Sequence, residues 1–457
     1  MSDKDELIDI AKTAEQYLDQ KNFAETKRML SEMNAVDLAE TLYEIPDDKL
    51  ALVYRLLPKE LAAETFVEMD ADQQEFLLNK FNDKEIKDIL SELFLDDTVD
   101  IIEEMPAAIV KKILTQADKE TRESINSILA YPTDSAGSIM TTEYVNLKEH
   151  YTVSEAFDRI RKTGVDKETI YICFVTNSQR KLVGVVSVKD LLLASLDQKI
   201  VDVMDENVIS VDTHADKEYV AHEIQRYGFL SMAVVDKENR LVGIVTVDDA
   251  MDVLREENDE DFSKMSAVTP SDKPYFKTSV WQIFLNRLPW LLLLMVSATF
   301  TSLIISAYED VLLGLSVTLF ACVPMLMDTG GNAGSQASVT IIRSIALNET
   351  TPRDTLKVVW KEFRVSIMLG VVMGVVCFGK LMLIDSLYNP MNAYIALTVS
   401  LALFITIVLA KLIGSSLPLL AKAIKLDPAV VASPFITTFV DALSLIIYSN
   451  IALSLLS

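Results

Sequence analysis

Asp441 is a lone charge in an apolar setting. It belongs to the run Asp427-Pro-Ala-Val-Val-Ala-Ser433-Pro434-Phe-Ile-Thr437-Thr438-Phe-Val-Asp441-Ala-Leu-Ser444, eleven residues into the apolar stretch 430–456, which has no other charged side chain. At about 1.5 Å per helical residue, it falls near the middle of a bilayer. An ionisable group there is costly and points to an ion path or a polar partner. Thr437, Thr438 and Ser444 lie three or four residues away and put hydroxyls on its helical face. Hard cations such as Mg²⁺ take oxygen ligands and shed water reluctantly, so a carboxylate among hydroxyls can hold a hydrated ion. The alternative is an Asp paired with an Arg or a backbone group of another span.

A second constellation is Pro324-Met-Leu-Met-Asp328-Thr-Gly330-Gly331-Asn332-Ala-Gly334-Ser-Gln336, also inside an apolar stretch. Pro324 removes a helical hydrogen bond and the paired glycines weaken a helix, so a broken segment is expected. Broken backbone at membrane depth lines a watery cavity or is buried in protein. The small residues also suit close helix packing, and that reading stands beside the first. A phosphate loop is excluded, because no Gly-Lys-Ser/Thr follows.

A third set is acidic. Eight acids fall in the fourteen residues 248–261: Asp248, Asp249, Asp252, Glu256, Glu257, Asp259, Glu260 and Asp261, with Arg255 the only base. Like charges at this density repel without counterions. They form either a solvated linker or a divalent-ion site. Asp96, Asp97 and Asp100, with Glu64 upstream, make a second acidic set. Ser187-x-x-Asp190 and Thr246-x-x-Asp249 are hydroxyl-x-x-Asp patterns. Such pairs cap the following helix or contact a ribose.

The elements that must position these groups differ along the chain. Of 42 Lys/Arg and 67 Asp/Glu in 457 residues, only ten and nine lie in 280–457, which leaves a net charge of −26 on 1–279. This acidity disfavours nucleic acid and anionic lipid, and favours cations. Three cysteines far apart suggest neither a zinc motif nor a disulfide framework. The acidic N-terminus has no apolar run, so no cleaved signal peptide is expected.

Residues 1–130 read as helical, with breaks about every twelve residues at Pro46, Pro58, Asp70 and Asn82. Pro suits a first helical turn and Asp or Asn a helix cap. Stacked helix-turn units predict an α-solenoid; a plain bundle is the alternative. Residues 131–247 carry a repeat at an offset of 59, in which Lys181-Leu-Val-Gly184-Val-Val-Ser187 matches Arg240-Leu-Val-Gly243-Ile-Val-Thr246. Each copy opens on a methionine turn, at Met140 and Met204. Residues 248–279 form an acidic connector. Residues 280–457 contain five apolar stretches, at 288–307, 311–342, 365–384, 393–420 and 430–456, each long enough to span a bilayer. The basic links after the second and fourth stretches place the N-terminal regions in the cytoplasm and the C-terminus outside the plasma membrane. The fold class is therefore multidomain, α and α+β, ending in a polytopic helical membrane domain.

The repeat, in the order β-α-β-β-α twice, resembles a tandem pair of CBS domains, a family often associated with nucleotide sensing. That resemblance implies ATP as a ligand near Ser187, Asp190, Thr246 and Asp249. The runs at 324–338 and 427–448 resemble the membrane domain of the MgtE family of magnesium channels, and Tyr131-Pro-Thr-Asp-Ser-Ala-Gly-Ser-Ile-Met140, the CBS pair and the solenoid complete that family's domain order. The resemblance implies a homodimer with five spans per subunit and a pore on the dimer axis. It carries over a pore aspartate to Asp441, with support from Asn332, Thr437, Thr438 and Asp328. It also implies regulatory Mg²⁺ at Asp249, Asp252, Glu257, Glu260, Asp261, Asp96, Asp100, Glu64 and Asp427. The chain departs from common members at Ser433, where Asn is frequent, and at Ser444, where Gly is common. Some members have Gly in place of Asp328. Softer metals are a rival cargo, but His150, His214 and His222 all lie in the soluble region, and packing explains Cys322, Met325 and Met327 better than ligation. An enzyme is not expected, and channel and coupled carrier both stay open.

Overall fold

The computed structural model describes residues 3–271, 275–276, 278–387, 392–431 and 433–456. The chain divides into two compact units, Met1–Leu254 and Arg255–Ser457.

The first unit begins with ten helices, from α1 (Asp3–Asp19) to α10 (Lys119–Ile128). Nine of their N-caps repeat every twelve residues: Asn22, Asn34, Pro46, Pro58, Asp70, Asn82, Phe94, Pro106 and Asp118. Asp70 accepts from the Gln73 N–H at 2.8 Å, and Asn82 makes a full capping box with Glu85. These side chains satisfy donors that a short helix would otherwise leave bare. Packing skips one helix at a time. Lys59–Val67 meets both Ala35–Tyr43 and Asp83–Leu90, and Ala71–Lys80 meets Asp47–Tyr54 and Leu95–Glu104. Two layers therefore enclose one apolar core that includes Leu38, Val53, Phe66, Leu77, Ile86 and Ile113. This is the solenoid rather than a plain bundle.

Two three-stranded sheets follow. The first orders β1 (Tyr144–Lys148), β2 (Thr169–Thr176) and β3 (Leu182–Ser187); the second orders β4 (Ser210–Asp212), β5 (Ser231–Val235) and β6 (Leu241–Thr246). In each, the first pair is parallel and the second antiparallel. Helices α11 (Val153–Thr163), α12 (Val188–Leu193) and α13 (Lys217–Tyr227) supply the α layers. The copies interlock. Thr141 pairs with Ile244 and Asp205 with Val185, so the segment opening each copy adds a bridge to the other sheet. Met140 packs where a side chain on Gly243 would stand, 2.7 Å from its Sδ, and Met204 fills the same place over Gly184. Glycine is needed at both positions for this close approach.

Helix α14 (Val247–Met265) carries the acidic run. The second unit then continues through α15 (Val280–Leu315), the short α16 (Val317–Ala321), α17 (Val323–Ala346), α18 (Thr355–Leu383), α19 (Ala393–Ala423) and α20 (Ser433–Leu456). Among the described residues, four helical stretches are long and apolar enough to cross a membrane: Val280–Leu315, Pro352–Leu387, Ala393–Ala423 and Pro434–Leu456. The 24 residues of α17 span about 36 Å, and the helix packs against α19 and α20 within the bundle.

Two boundaries differ from the sequence expectation. Glu309 and Asp310, expected in a loop, lie inside α15, which continues to Leu315 and stops at extended Ser316. No Gly or Pro interrupts 308–313, and the Ser316 side chain caps the next helix through the Thr318 N–H. Residues 324–336, expected to be broken, form continuous helix. Pro324 sits in the first turn, where a missing N–H costs nothing. The glycines serve packing instead. A Cβ on Gly330 would stand 2.7 Å from Thr406 Cγ2, and one on Gly334 3.2 Å from the Ala410 carbonyl.

Candidate ion pathway and acidic sensor

Helix α20 places Asp441 against α17. A Cβ on Gly331 would come 3.2 Å from Asp441 Oδ1 and 2.7 Å from Thr437 Cγ2, so only glycine allows this approach. Asp441 Oδ1 is buried and, among the described residues, has no hydrogen-bond partner. Lys411, the base within the fourth apolar stretch, is not that partner; it reaches Glu362 of α18 at 3.5 Å. The nearby hydroxyls are largely engaged. Thr437 and Ser335 share a hydrogen bond of 3.1 Å. Thr438 donates to the Pro434 carbonyl and Ser444 to that of Val440. As donors in these bonds, the Thr438 and Ser444 oxygens can still accept from water or face a cation. Ser444 is buried, and a Cβ on Gly330 would meet its Oγ at 2.8 Å. The Ser433 side chain lies outside the described residues.

On α17, Asp328, Asn332, Gln336, Thr340 and Arg343 are all exposed in the single chain. Their spacing of three or four makes one polar stripe along the helix. A stripe of this kind cannot face lipid tails.

The acids of the first unit form a different arrangement. Asp96 is 6 % exposed. Burial first, then Asp249, Asp97 and Glu168, push its pKa well above the carboxylate range. Asp97 is raised to about 6 by burial and by Asp249, Asp248, Glu68 and Glu143. Asp249 reaches about 6 through burial, against a hydrogen bond from Thr246. Glu168 reaches about 7, by burial and by Asp97, Asp249, Asp248 and Glu143. These acids come from α8 (Leu95–Glu104), the segments before β1 and β2, and the start of α14. Glu143 also accepts from the Leu95 N–H at 3.0 Å. Phe94 occupies the cap position of α8 and has no acceptor, so Glu143 supplies it from the CBS region.

Of the acids expected from sequence, Asp96 and Asp249 come together. Asp252 also acts to raise Asp249, while Asp100 and Glu64 are exposed. Glu68, one turn beyond Glu64, is the solenoid glutamate that acts on Asp97. Glu143 and Glu168 were not expected; each is a single acid without a local motif, so no sequence signal marks it. Among the described residues, no three His, Cys, Asp or Glu side chains converge at metal-ligand spacing. The second-unit acids Glu257, Glu260 and Asp261 are half-buried on α14. Glu260 and Asp427 both bind Lys264, at 2.6 and 2.7 Å. The Ser187–Asp190 pair forms a capping box on α12. Ser187 donates to Asp190 and accepts its N–H, and Thr246 donates to Asp249 at 2.5 Å.

The comparisons with known proteins follow this division. Residues 323–451 match the family described as MgtE, divalent cation transporter; 33–134 match the MgtE intracellular N domain; 136–197 and 200–256 match CBS domains. The chain is 33% identical over 450 residues to the magnesium transporter MgtE of Thermus thermophilus, covering 98% of both chains. It belongs to the MgtE family. The MgtE of Bacillus subtilis is likewise 33% identical, over 93% of both chains. MgtE is a transport family and not an enzyme family, and its transporter domain and apolar helices place this chain in a membrane. A solved MgtE cytosolic domain, of a Mg²⁺ channel in complex with ATP, has a TM-score of 0.51 and 34% identity, covering 53% of this chain and 99% of that one. A soluble part of a magnesium transporter has a TM-score of 0.51 at 28% identity.

Proposed function

We propose that this MgtE protein is a Mg²⁺ channel of the plasma membrane, formed by two copies and closed by cytosolic Mg²⁺. The observation that carries the reading is Asp441, whose buried oxygen has no hydrogen-bond partner among the described residues, on an apolar helix held close by Gly331. A lone carboxylate at that depth is stabilised by a cation, and a hydrated Mg²⁺ suits it because the ion keeps most of its water. The polar stripe from Asp328 to Arg343 supports a second copy: facing its symmetry mate across a wet pore, it escapes lipid. In this reading the pore is lined by α17 and α20. Asp441 holds the ion, and Asn332, Thr437, Thr438 and Asp328 contact its waters. All five helices span the bilayer, with the N-terminal regions in the cytosol and the C-terminus outside.

The gate is the acidic set. Within the first unit Asp96, Asp100, Glu64, Asp249 and Asp252 repel one another when Mg²⁺ is scarce; within the second, Glu257 and Asp261 do so beside Glu260 and Asp427, which share Lys264. Binding of Mg²⁺ to them favours the closed pore, because an ion shifts an equilibrium only toward the state it binds better. The raised pKa values of Asp96, Asp97, Asp249 and Glu168 support this reading, since burial first and then neighbouring acids disfavour their charged forms. ATP is the expected ligand of the CBS pair near Ser187, Asp190, Thr246 and Asp249, by similarity to the relative solved with ATP. Mg²⁺ uptake into proteoliposomes tests the pore. Asp441→Asn should abolish it while the protein stays folded, and uptake at the wild-type rate would exclude Asp441 as the pore site.

A further inference from the structure

The end of α14 is fastened to the membrane helices by two contacts of different kinds. Beyond Met265 the chain turns through Ala267, whose φ is +53°, and the Val268 N–H returns to the Ser263 carbonyl at 3.0 Å. The Thr269 N–H then donates to the Asn286 carbonyl on α15 at 3.0 Å. The other contact is ionic. Lys264 Nζ donates to Glu260, one turn earlier on α14, at 2.6 Å and to Asp427 Oδ2 at 2.7 Å. Asp427 Oδ1 accepts from the Ala429 N–H at 2.8 Å and so caps the turn Pro428–Val431 that leads into α20. One carboxylate therefore joins the start of the Asp441 helix to the end of the acidic connector. Burial opposes the charge on Lys264, but the two carboxylates outweigh it and hold its pKa up to about 12.

We propose that Lys264 is a built-in cation that takes the bridging place between Glu260 and Asp427 and holds the end of α14 to the base of α20 without a bound ion. The proposal rests on the gating reading above and deepens it. Two carboxylates that would otherwise need a divalent ion are joined by a tethered ammonium at every cytosolic Mg²⁺ level. Part of the closed arrangement is then independent of Mg²⁺, and the ion acts through the remaining acids. Without the ammonium, Glu260 and Asp427 have no bridging cation until Mg²⁺ supplies one. Closure becomes harder to reach and more steeply dependent on the ion.

The test is Mg²⁺ flux through the full-length chain in proteoliposomes, recorded against Mg²⁺ at the cytosolic face. Lys264→Gln should raise the half-closing Mg²⁺ concentration about threefold to fivefold, the range of a partly exposed ion pair, with a steeper curve. Asp427→Asn keeps the cap on Ala429 and should raise it similarly. The double variant should shift no further than either single one, because both remove the same bridge. An unchanged or lowered half-closing concentration in Lys264→Gln, or shifts that add in the double variant, would overturn the proposal. If wild-type flux ignores Mg²⁺, the gating reading fails by itself. The bridge is then read by zero-length carbodiimide cross-linking in Mg²⁺-free buffer. A Lys264–Asp427 cross-link supports it, and its absence overturns it.

Discussion

Asp441 and Asp96 are both carboxylates withdrawn from water, and they are held there by opposite means. Asp441 stands in an apolar helix whose packing against α17 depends on Gly331. Asp96 stands among other acids, with Asp97, Asp249 and Glu168 all acting to keep its proton on. A site with few charges per chain discriminates by geometry, because fit largely decides what occupies it. A site of many crowded charges responds to concentration, because each added cation relieves several repulsions. The contrast separates the path from the sensor in physical terms, and variants can attack each side separately.

The largest effect is expected on the geometric side. Gly331→Val forces a branched side chain into space held by Thr437 and Asp441. Mg²⁺ uptake should be lost, with about 1–3 kcal/mol of overpacking cost in thermal unfolding in detergent. The change touches none of the first-unit acids, so normal uptake would break the contrast. Next in size is the combined change Asp97→Asn, Asp248→Asn and Asp249→Asn. It should leave a conducting pore that no longer closes fully at high Mg²⁺, together with a more stable Mg²⁺-free protein. Full closure in the flux assay would place the sensor elsewhere.

The pH dependence is smaller and has a definite sign. Asp97 and Asp249 at about 6 and Glu168 at about 7 lie above ordinary carboxylate values. The folded chain therefore holds more protons than the unfolded chain between about pH 4 and 7, and its stability falls as pH rises through that window. With divalent ions chelated, thermal unfolding of the cytosolic transition should gain on the order of 2 kcal/mol from pH 7.5 to 5.5. Saturating Mg²⁺ should flatten the profile; a profile that is flat without Mg²⁺ would show the acids are not strained. The smallest effect belongs to the scaffold. Asn82→Ala removes one of the twelve-spaced caps and should cost about 1 kcal/mol in the same melt, with ion response unchanged.

Much of this organisation is legible in the sequence because it is local or periodic. The caps at Pro46, Pro58, Asp70 and Asn82 reveal the solenoid spacing, although Phe94 hides one position by lacking a polar side chain. The 59-residue offset reveals two sheets. It does not reveal that Met140 and Met204 cross to the opposite copy, since that depends on tertiary pairing. Asp441 is conspicuous because its own apolar stretch carries no other charge. The glycines at 330 and 331 are equally conspicuous, yet a weak helix former is broken only when no neighbour packs on it, and here Thr406, Thr437 and Val440 do. Glu143, Glu168 and Lys264 are invisible for one shared reason. Each is an ordinary surface-type residue until the fold brings a distant carboxylate or N–H beside it.

Single-channel recording across a planar bilayer, with Mg²⁺ as the only permeant cation, tests the path at Asp441 most directly. The wild-type protein should give discrete current steps that disappear as Mg²⁺ is raised on the cytosolic side, and Asp441→Asn should give none. Steps of wild-type size in Asp441→Asn, or transport that requires a gradient of H⁺ or Na⁺, would contradict a Mg²⁺ pore built on that carboxylate.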